Sequence, residues 1–448
     1  MRKALALLAI FLGVPVPVAG SGNADPAGVT STEVSFTGGG GIVLHGTVLA
    51  PAQHTVPRRP GIVMLEGAGN RGRGYLRADA EAYARHGIVT LVYDKRTVGY
   101  SLLRRDYRLL ADDALAALEV LRSRAEVDPD RTGLWALSEG AFVAPLAAAR
   151  STDVKFLITV GAVGTTPAVQ TAWAYERYLS HAGVTGSMPR MLRATALPVA
   201  IRAGLFPEAG FDPWTAWHAV RQPVLAQWGQ FDRDSVPHES IRVIGDALAR
   251  GGNARYTVRI VPGVNHNLHV TAAAGFDRLP ALPAGYGDFE AAWITGGGRQ
   301  APPQVAFEPQ PPAAAAVPAP AWYHQPWLQL AVVATLLVAF AAGIRRRGGP
   351  RWLAVPGLAT VAGTLAYVVF LLATAAKVTG PVVFGRTLPW LALQLLAVVT
   401  TAATVAVMLS WRRHHRELET AGRIRLAILT AAGILFTAWA ASWGLLTA

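Results

Sequence analysis

The chain reads as two structural classes in series: an α/β domain on a doubly wound, mostly parallel sheet, then an all-α membrane domain. Three observations predict this. Strand-length apolar runs at 132–137, 155–160, 223–228 and 256–261 are separated by helix-compatible segments, the pattern of parallel strands joined by helical crossovers. The first of these runs passes directly into a helix-compatible stretch at Ala136-Leu137-Ser138-Glu139-Gly140. Four apolar stretches, about 327–344, 352–376, 388–411 and 426–446, each come close to or exceed the ~18 residues that argue for a membrane-spanning helix.

Taken in order, Met1-Arg2-Lys3, the apolar run Ala4–Val18 and the small residues Ala19-Gly20-Ser21 have the layout of a secretory signal, with cleavage after Gly20 or Ala24. Residues 1–24 are read as that signal, an uncleaved anchor being the alternative; either implies export. Gly38–Gly41 is a hairpin turn; without a following Lys-Ser/Thr it is not a phosphate loop. Ser138 stands on a tight strand-to-helix turn, the setting of a nucleophile elbow, where small flanking residues relieve backbone crowding. A serine hydroxyl needs a histidine to take its proton, and the histidine needs an acid to orient it. Both follow in the expected order. The strand 223–228 runs into Gly229-Gln-Phe-Asp232, and the strand 256–261 runs into Pro262-Gly263-Val264-Asn265-His266. Loops at strand carboxyl ends meet at one crevice in open α/β sheets. Asp234 is the rival acid and His269 the rival base; the Gly-x-x-Asp spacing favours Asp232, and the turn residues before His266 favour that imidazole.

At these residues the chain resembles the α/β-hydrolase family, especially secreted or envelope members similar to dienelactone hydrolases and serine aminopeptidase-like hydrolases. The resemblance covers about 33–295. It takes in a leading hairpin at Glu33–Ala50, the strand Gly61–Leu65, and Tyr93-Asp94-Lys95-Arg96-Thr97-Val98-Gly99-Tyr100-Ser101, which looks like the family's Y-D-x-R-G-x-G-x-S segment. It implies a catalytic Ser138, Asp232 and His266, with an oxyanion hole from the backbone N–H groups of Ala68 and Glu139. Three residues depart from the family pattern: Ala136 replaces the first elbow glycine, Glu66 replaces a histidine, and Thr97 replaces a glycine. Glu66 is expected to pair with Arg71 or Arg73. The resemblance also implies that the long segment at about 162–220 is a helical cap over the site. Its Trp173, Tyr175, Tyr178, Met188, Met191, Trp214 and Trp217 either line an apolar acyl pocket or pack the cap onto the sheet.

The hydrolase domain thus spans 25–296, a Pro/Ala-rich linker 297–320, and the membrane domain 321–448. The net charge of +13 does not point to nucleic acid. Residues 321–448 hold 11 Lys and Arg against 2 Asp and Glu, leaving 41 − 11 = 30 against 28 − 2 = 26 for the rest. Arg345, Arg346, Arg347 and Arg351 follow the first span, and Arg412, Arg413, Arg416, Arg423 and Arg425 lie around the connection between the third and fourth. The positive-inside rule makes both connections cytoplasmic and the hydrolase domain extracytoplasmic, as an exported N-terminus requires. None of the spans carries Asp or Glu, so the bundle reads as an anchor or a site for a membrane-protein partner rather than an ion-coupled transporter. His414-His415 belongs to a solvated loop. With no cysteine, a lipoprotein anchor, disulfides and cysteine-ligated zinc are ruled out.

The expected protein is a multi-pass cytoplasmic-membrane serine hydrolase, carboxylesterase-like, cleaving an ester, thioester or amide of a small acyl substrate, with no cofactor and no metal. A peptidase of the same fold and a catalytically idle binding or sensing module are the alternatives.

Overall fold

The computed structural model describes residues 28–52, 57–298, 317–319, 321–345, 350–414 and 419–447. The expected signal at 1–24, nearly all of the linker, and Arg346, Arg347, His415 and Arg416 lie outside them.

Eight strands form one sheet in the order β1-β2-β4-β3-β5-β6-β7-β8. They are β1 Val29–Thr37, β2 Val43–Pro51, β3 Arg59–Leu65, β4 Val89–Tyr93, β5 Val127–Leu137, β6 Phe156–Val160, β7 Val224–Gly229 and β8 Tyr256–Val261. β1 and β2 pair antiparallel through the glycine turn, β2 joins β4 antiparallel, and every later pairing is parallel. Alternation decides which residues meet which helices, because successive strand residues face opposite ways. Val63, Leu65, Leu134, Ala136 and Trp228 pack on one face with α2 (Tyr107–Arg122), α3 (Gly140–Arg150) and α8 (Pro237–Arg250). Ile62, Met64, Trp135 and Leu137 pack on the other with α1 (Arg77–Arg85) and α9 (Asp288–Thr295). The sheet is therefore doubly wound, and the architecture is the α/β-hydrolase fold. Thr97, where the family has glycine, is exposed, and the chain turns instead at Gly99, whose φ is +77°.

Between β6 and β7 run α4 (Pro167–His181), then α5 (Ser187–Met191) and α6 (Leu197–Arg202) joined by a π turn, and α7 (Pro213–His218). Only the first three make a cap. α7 packs against α3 and α8, and its Trp217 is buried in the sheet core.

The C-terminal part is four helices: α10 Pro326–Arg345, α11 Arg351–Ala373, α12 Leu388–His414 and α13 Thr420–Ser442. All are long and apolar enough to cross a membrane. α11 stops before the expected residue 376 because Ala375 and Ala376 take φ of +50° and +56°, which no helix continues through. α13 starts six residues before the expected 426 and ends at Ser442, where the chain turns back at Gly444. Close helix contact rests on small residues, as expected where lipid supplies no hydrophobic drive. A methyl group on Gly357 would come within 2.6 Å of the Phe340 ring, and one on Gly433 within 2.3 Å of Thr404 Oγ1.

Cap and helices share one apolar core. Leu179, Val184, Met188, Met191 and Leu192 pack with Trp390, Leu371, Trp439 and Trp443. Polar contacts reinforce the seam: Thr185 N–H donates to Gly385 O (2.7 Å), Thr195 Oγ1 to Ser442 O (3.2 Å), and Trp390 Nε1 to Ser187 Oγ (3.3 Å). These helix-side partners come from the connection between α11 and α12, the start of α12 and the end of α13. Arg345, Arg351, Arg412, Arg413, Arg423 and Arg425 lie at or near the opposite ends of the helices.

Candidate active site

Ser138 follows the last residue of β5 and precedes α3, with φ at +53°. For a non-glycine residue this left-handed conformation costs roughly 1–2 kcal/mol. Neighbouring contacts fix it: Ser138 N–H donates to Val160 O at 2.9 Å, and Ala141 N–H to Ser138 O at 2.9 Å. The glycine side of the elbow admits no methyl group, since a Cβ on Gly140 would lie 2.8 Å from Leu65 O. The other flank does: the Ala136 methyl is fully buried in the sheet core beside α3, so replacing the usual glycine disturbs nothing.

Asp232 and His266 meet as the sequence order predicts. Asp232 is 0% and His266 4% exposed, and His266 Nδ1–H donates to Asp232 Oδ2 at 2.8 Å. The carboxylate takes Ser235 Oγ–H on the same oxygen (2.6 Å) and the N–H groups of Asp234 and Ser235 on the other (2.9 and 3.1 Å). A carboxylate so fully engaged fixes the ring tautomer, with the proton on Nδ1 and the lone pair on Nε2. Among the described residues Nε2 makes no hydrogen bond, and none joins it to Ser138 Oγ. The serine and the imidazole nevertheless share a support at 160–161. Val160 accepts the Ser138 N–H, while a Cβ on Gly161 would lie 2.4 Å from His266 Cε1. Gly161, at φ +60°, is required there by both its backbone and the ring.

The two rival residues are engaged elsewhere. His269 places Nε2 3.3 Å from Asp79 Oδ1 and Nδ1 3.2 Å from Leu279 O. Burial works against its charge, but Asp79 prevails and raises its pKa. Asp234 contacts the Arg278 guanidinium, accepts from Tyr178 Oη (3.3 Å) and lies 3.4 Å from Lys377 Nζ. Its burial disfavours the anion, yet Arg278 and Lys377 hold it well below the ordinary carboxylate range. Ligand atoms of Asp232, Asp234 and His266 lie within 4.8 Å of one another, near enough for a cation. All three are already engaged, Asp234 by Arg278 and Lys377 and the other two by each other, so the group does not make a free metal site.

The loop after β3 lies against Ser138: a Cβ on Gly67 would sit 3.4 Å from Ser138 Cβ. Neither Ala68 N–H nor Glu139 N–H donates to any group among the described residues, so both are available beside the serine. Beneath this loop is a buried ionic cluster that sequence patterns did not reveal. The Glu139 carboxylate accepts from Lys95 Nζ (3.0 Å) and Tyr100 Oη (2.7 Å) and faces Arg105 Nη1 (3.1 Å). Lys95 also donates to Gly67 O, and Gly69 N–H to Tyr100 Oη at 2.9 Å. Burial opposes the Glu139 charge, but Lys95 and Arg105 outweigh it and its pKa falls. Glu66 does not form the expected side-chain pair. It accepts the backbone N–H of Arg71 at 2.8 Å, while Arg73 bridges to Glu33 (2.6 Å) and Asp94. Burial raises the Glu66 pKa against the pull of Lys95.

No family model and no curated protein matches this sequence. Among solved structures the chain is similar to a dienelactone hydrolase from Anabaena variabilis, at 18% identity over 60% of this chain and 98% of that one, with a TM-score of 0.38. It is similar to a dienelactone hydrolase-like promiscuous phosphotriesterase from metagenomic libraries, at 15% identity over 60% and 99%, TM-score 0.41. A cold-adapted esterase from an Arctic intertidal metagenomic library aligns at 17% identity over 55% and 90%, TM-score 0.34. The structural neighbours are dienelactone hydrolase-like α/β hydrolases.

Proposed function

We propose that the protein is a membrane-anchored serine hydrolase acting on a carboxylic ester outside the cytoplasmic membrane. The observation that carries this reading is the buried Asp232–His266 pair, which leaves Nε2 uncommitted on the same 160–161 support that holds the strained serine. Ser138 Oγ attacks the acyl carbonyl as His266 Nε2 takes its proton, and Asp232 stabilises the resulting imidazolium. The N–H groups of Ala68 and Glu139 receive the oxyanion, the position in which two preorganised donors contribute most. The tetrahedral intermediate collapses as His266 returns the proton to the departing alkoxide. Water, activated by the same nitrogen, then releases the acid from the acyl-enzyme.

Two features support this orientation. The positive-inside rule places the Arg-rich connections in the cytoplasm, and the hydrolase domain packs at the opposite helix ends.

Turnover of p-nitrophenyl acyl esters by the full-length protein in detergent tests the reaction. Ser138→Ala and His266→Ala should each lower kcat by on the order of 10⁴ or more, because these groups act as a unit. A folded wild-type protein inert to esters, thioesters and amides contradicts the reading.

A further inference from the structure

The turn that carries the triad acid is tied to the membrane domain. Asp232 owes the placement of its Oδ1 to the N–H groups of Asp234 and Ser235, so whatever holds Asp234 also holds the acid. Asp234 is buried among groups from three separate elements: Tyr178 from cap helix α4, Arg278 from the segment after β8, and Lys377 from the connection between α11 and α12. Lys377 reaches it because Ala375 and Ala376, both in the left-handed region, swing the chain off the end of α11 toward the cap. Two consecutive alanines in that conformation persist only where their surroundings over-determine it; Ala376 is buried in the core shared by cap and helices. The ammonium also stands 4.7 Å from the centre of the Tyr178 ring.

We propose that this outer connection is part of the active site, with Lys377 a positioning residue that acts through Asp234 on the Asp232–His266 pair. The inference rests on the serine-hydrolase reading. The Asp234 carboxylate lies within 4.8 Å of His266. The charged and titratable groups around it are Asp232, Tyr178, Arg278 and Lys377, with Arg71 close enough to Lys377 to repel it. With Arg278 and Lys377 both in place, the Asp234 charge is offset and Asp232 is the carboxylate hydrogen-bonded to the imidazole. Without Lys377 a second, less compensated carboxylate faces the ring. It favours the imidazolium, which cannot accept the serine proton.

The test is the pH dependence of kcat/KM for an acyl ester with full-length protein in lipid nanodiscs. Lys377→Met should lower kcat/KM at neutral pH about 10- to 100-fold and move the acidic limb to higher pH, as loss of a neighbouring cation requires. Lys377→Arg should restore most of the activity and return the limb. In an Asp234→Asn background, Lys377→Met should cost only about 2-fold, because the charge that Lys377 offsets is then gone. A wild-type protein that turns over esters while Lys377→Met keeps its rate and pH profile overturns the inference alone. So does an equal loss in both backgrounds, which assigns Lys377 a merely structural role. A wild-type protein without turnover removes the hydrolase reading and this inference with it.

Discussion

The strained φ of Ser138 and the glycine at 161 bear on one short stretch, because Val160 holds the serine N–H and Gly161 makes room for the imidazole. Gly161→Ala should therefore push the ring off its position and lower kcat by about 10², the scale set by an ångström of misplacement, with KM little changed. Unchanged steady-state kinetics would show that the ring does not need that space. At Asp232, substitution by Asn keeps the shape but loses the tautomer, and kcat should fall by on the order of 10⁴. An equal or greater fall for Asp234→Asn would reassign the orienting acid. The positions of Ser138, Asp232 and His266 past the ends of β5, β7 and β8 were legible, because each follows a strand-length apolar run. Lys95, Tyr100 and Arg105 were not, since they reach Glu139 from a loop without periodicity. One signal was there to use: an acid directly after Ser138, at a buried helix start, needs cations nearby.

Among the elements, the cap differs most from what its sequence suggested. Its aromatic and methionine residues were expected either to line a pocket or to pack on the sheet. Trp217 packs on the sheet, as one of the two alternatives had it, whereas Met188 and Met191 enter the core formed with the C-terminal helices and Tyr178 contacts Asp234. Hydrophobicity announces that a face is buried and leaves its partner unnamed. Periodicity gave the strands to within a few residues, because alternation and end-of-strand turns are local. Met188→Ala should cost the cap seam about 2–5 kcal/mol, the range for emptying a packed core site. The observable is faster tryptic cleavage at Arg190 and Arg193 in detergent. Unaltered cleavage would mean that the seam is not what holds the cap.

For the whole molecule, the order of domains and the four apolar helices were legible from length and hydropathy, while the docking of one domain on the other was not. That docking depends on contacts such as Thr185 with Gly385, 200 residues apart. The chain contains no cysteine, which makes its topology directly measurable. Single cysteines at Ser123 and Phe384, both exposed, should react with an impermeant maleimide in intact spheroplasts. One at exposed Thr420 should react only after the membrane is opened. Labelling of the Thr420 site in sealed cells would invert the orientation.

The central claim is that Ser138 is an activated nucleophile, and the most direct measurement of it is the position of a covalent adduct. Full-length protein treated with a fluorophosphonate and digested should carry the phosphonyl group on the peptide containing Ser138. The adduct should be absent in Ser138→Ala and strongly reduced in His266→Ala, since an unassisted hydroxyl does not react at comparable rates. A folded wild-type protein that remains unmodified, or that is modified at another residue, would contradict the account.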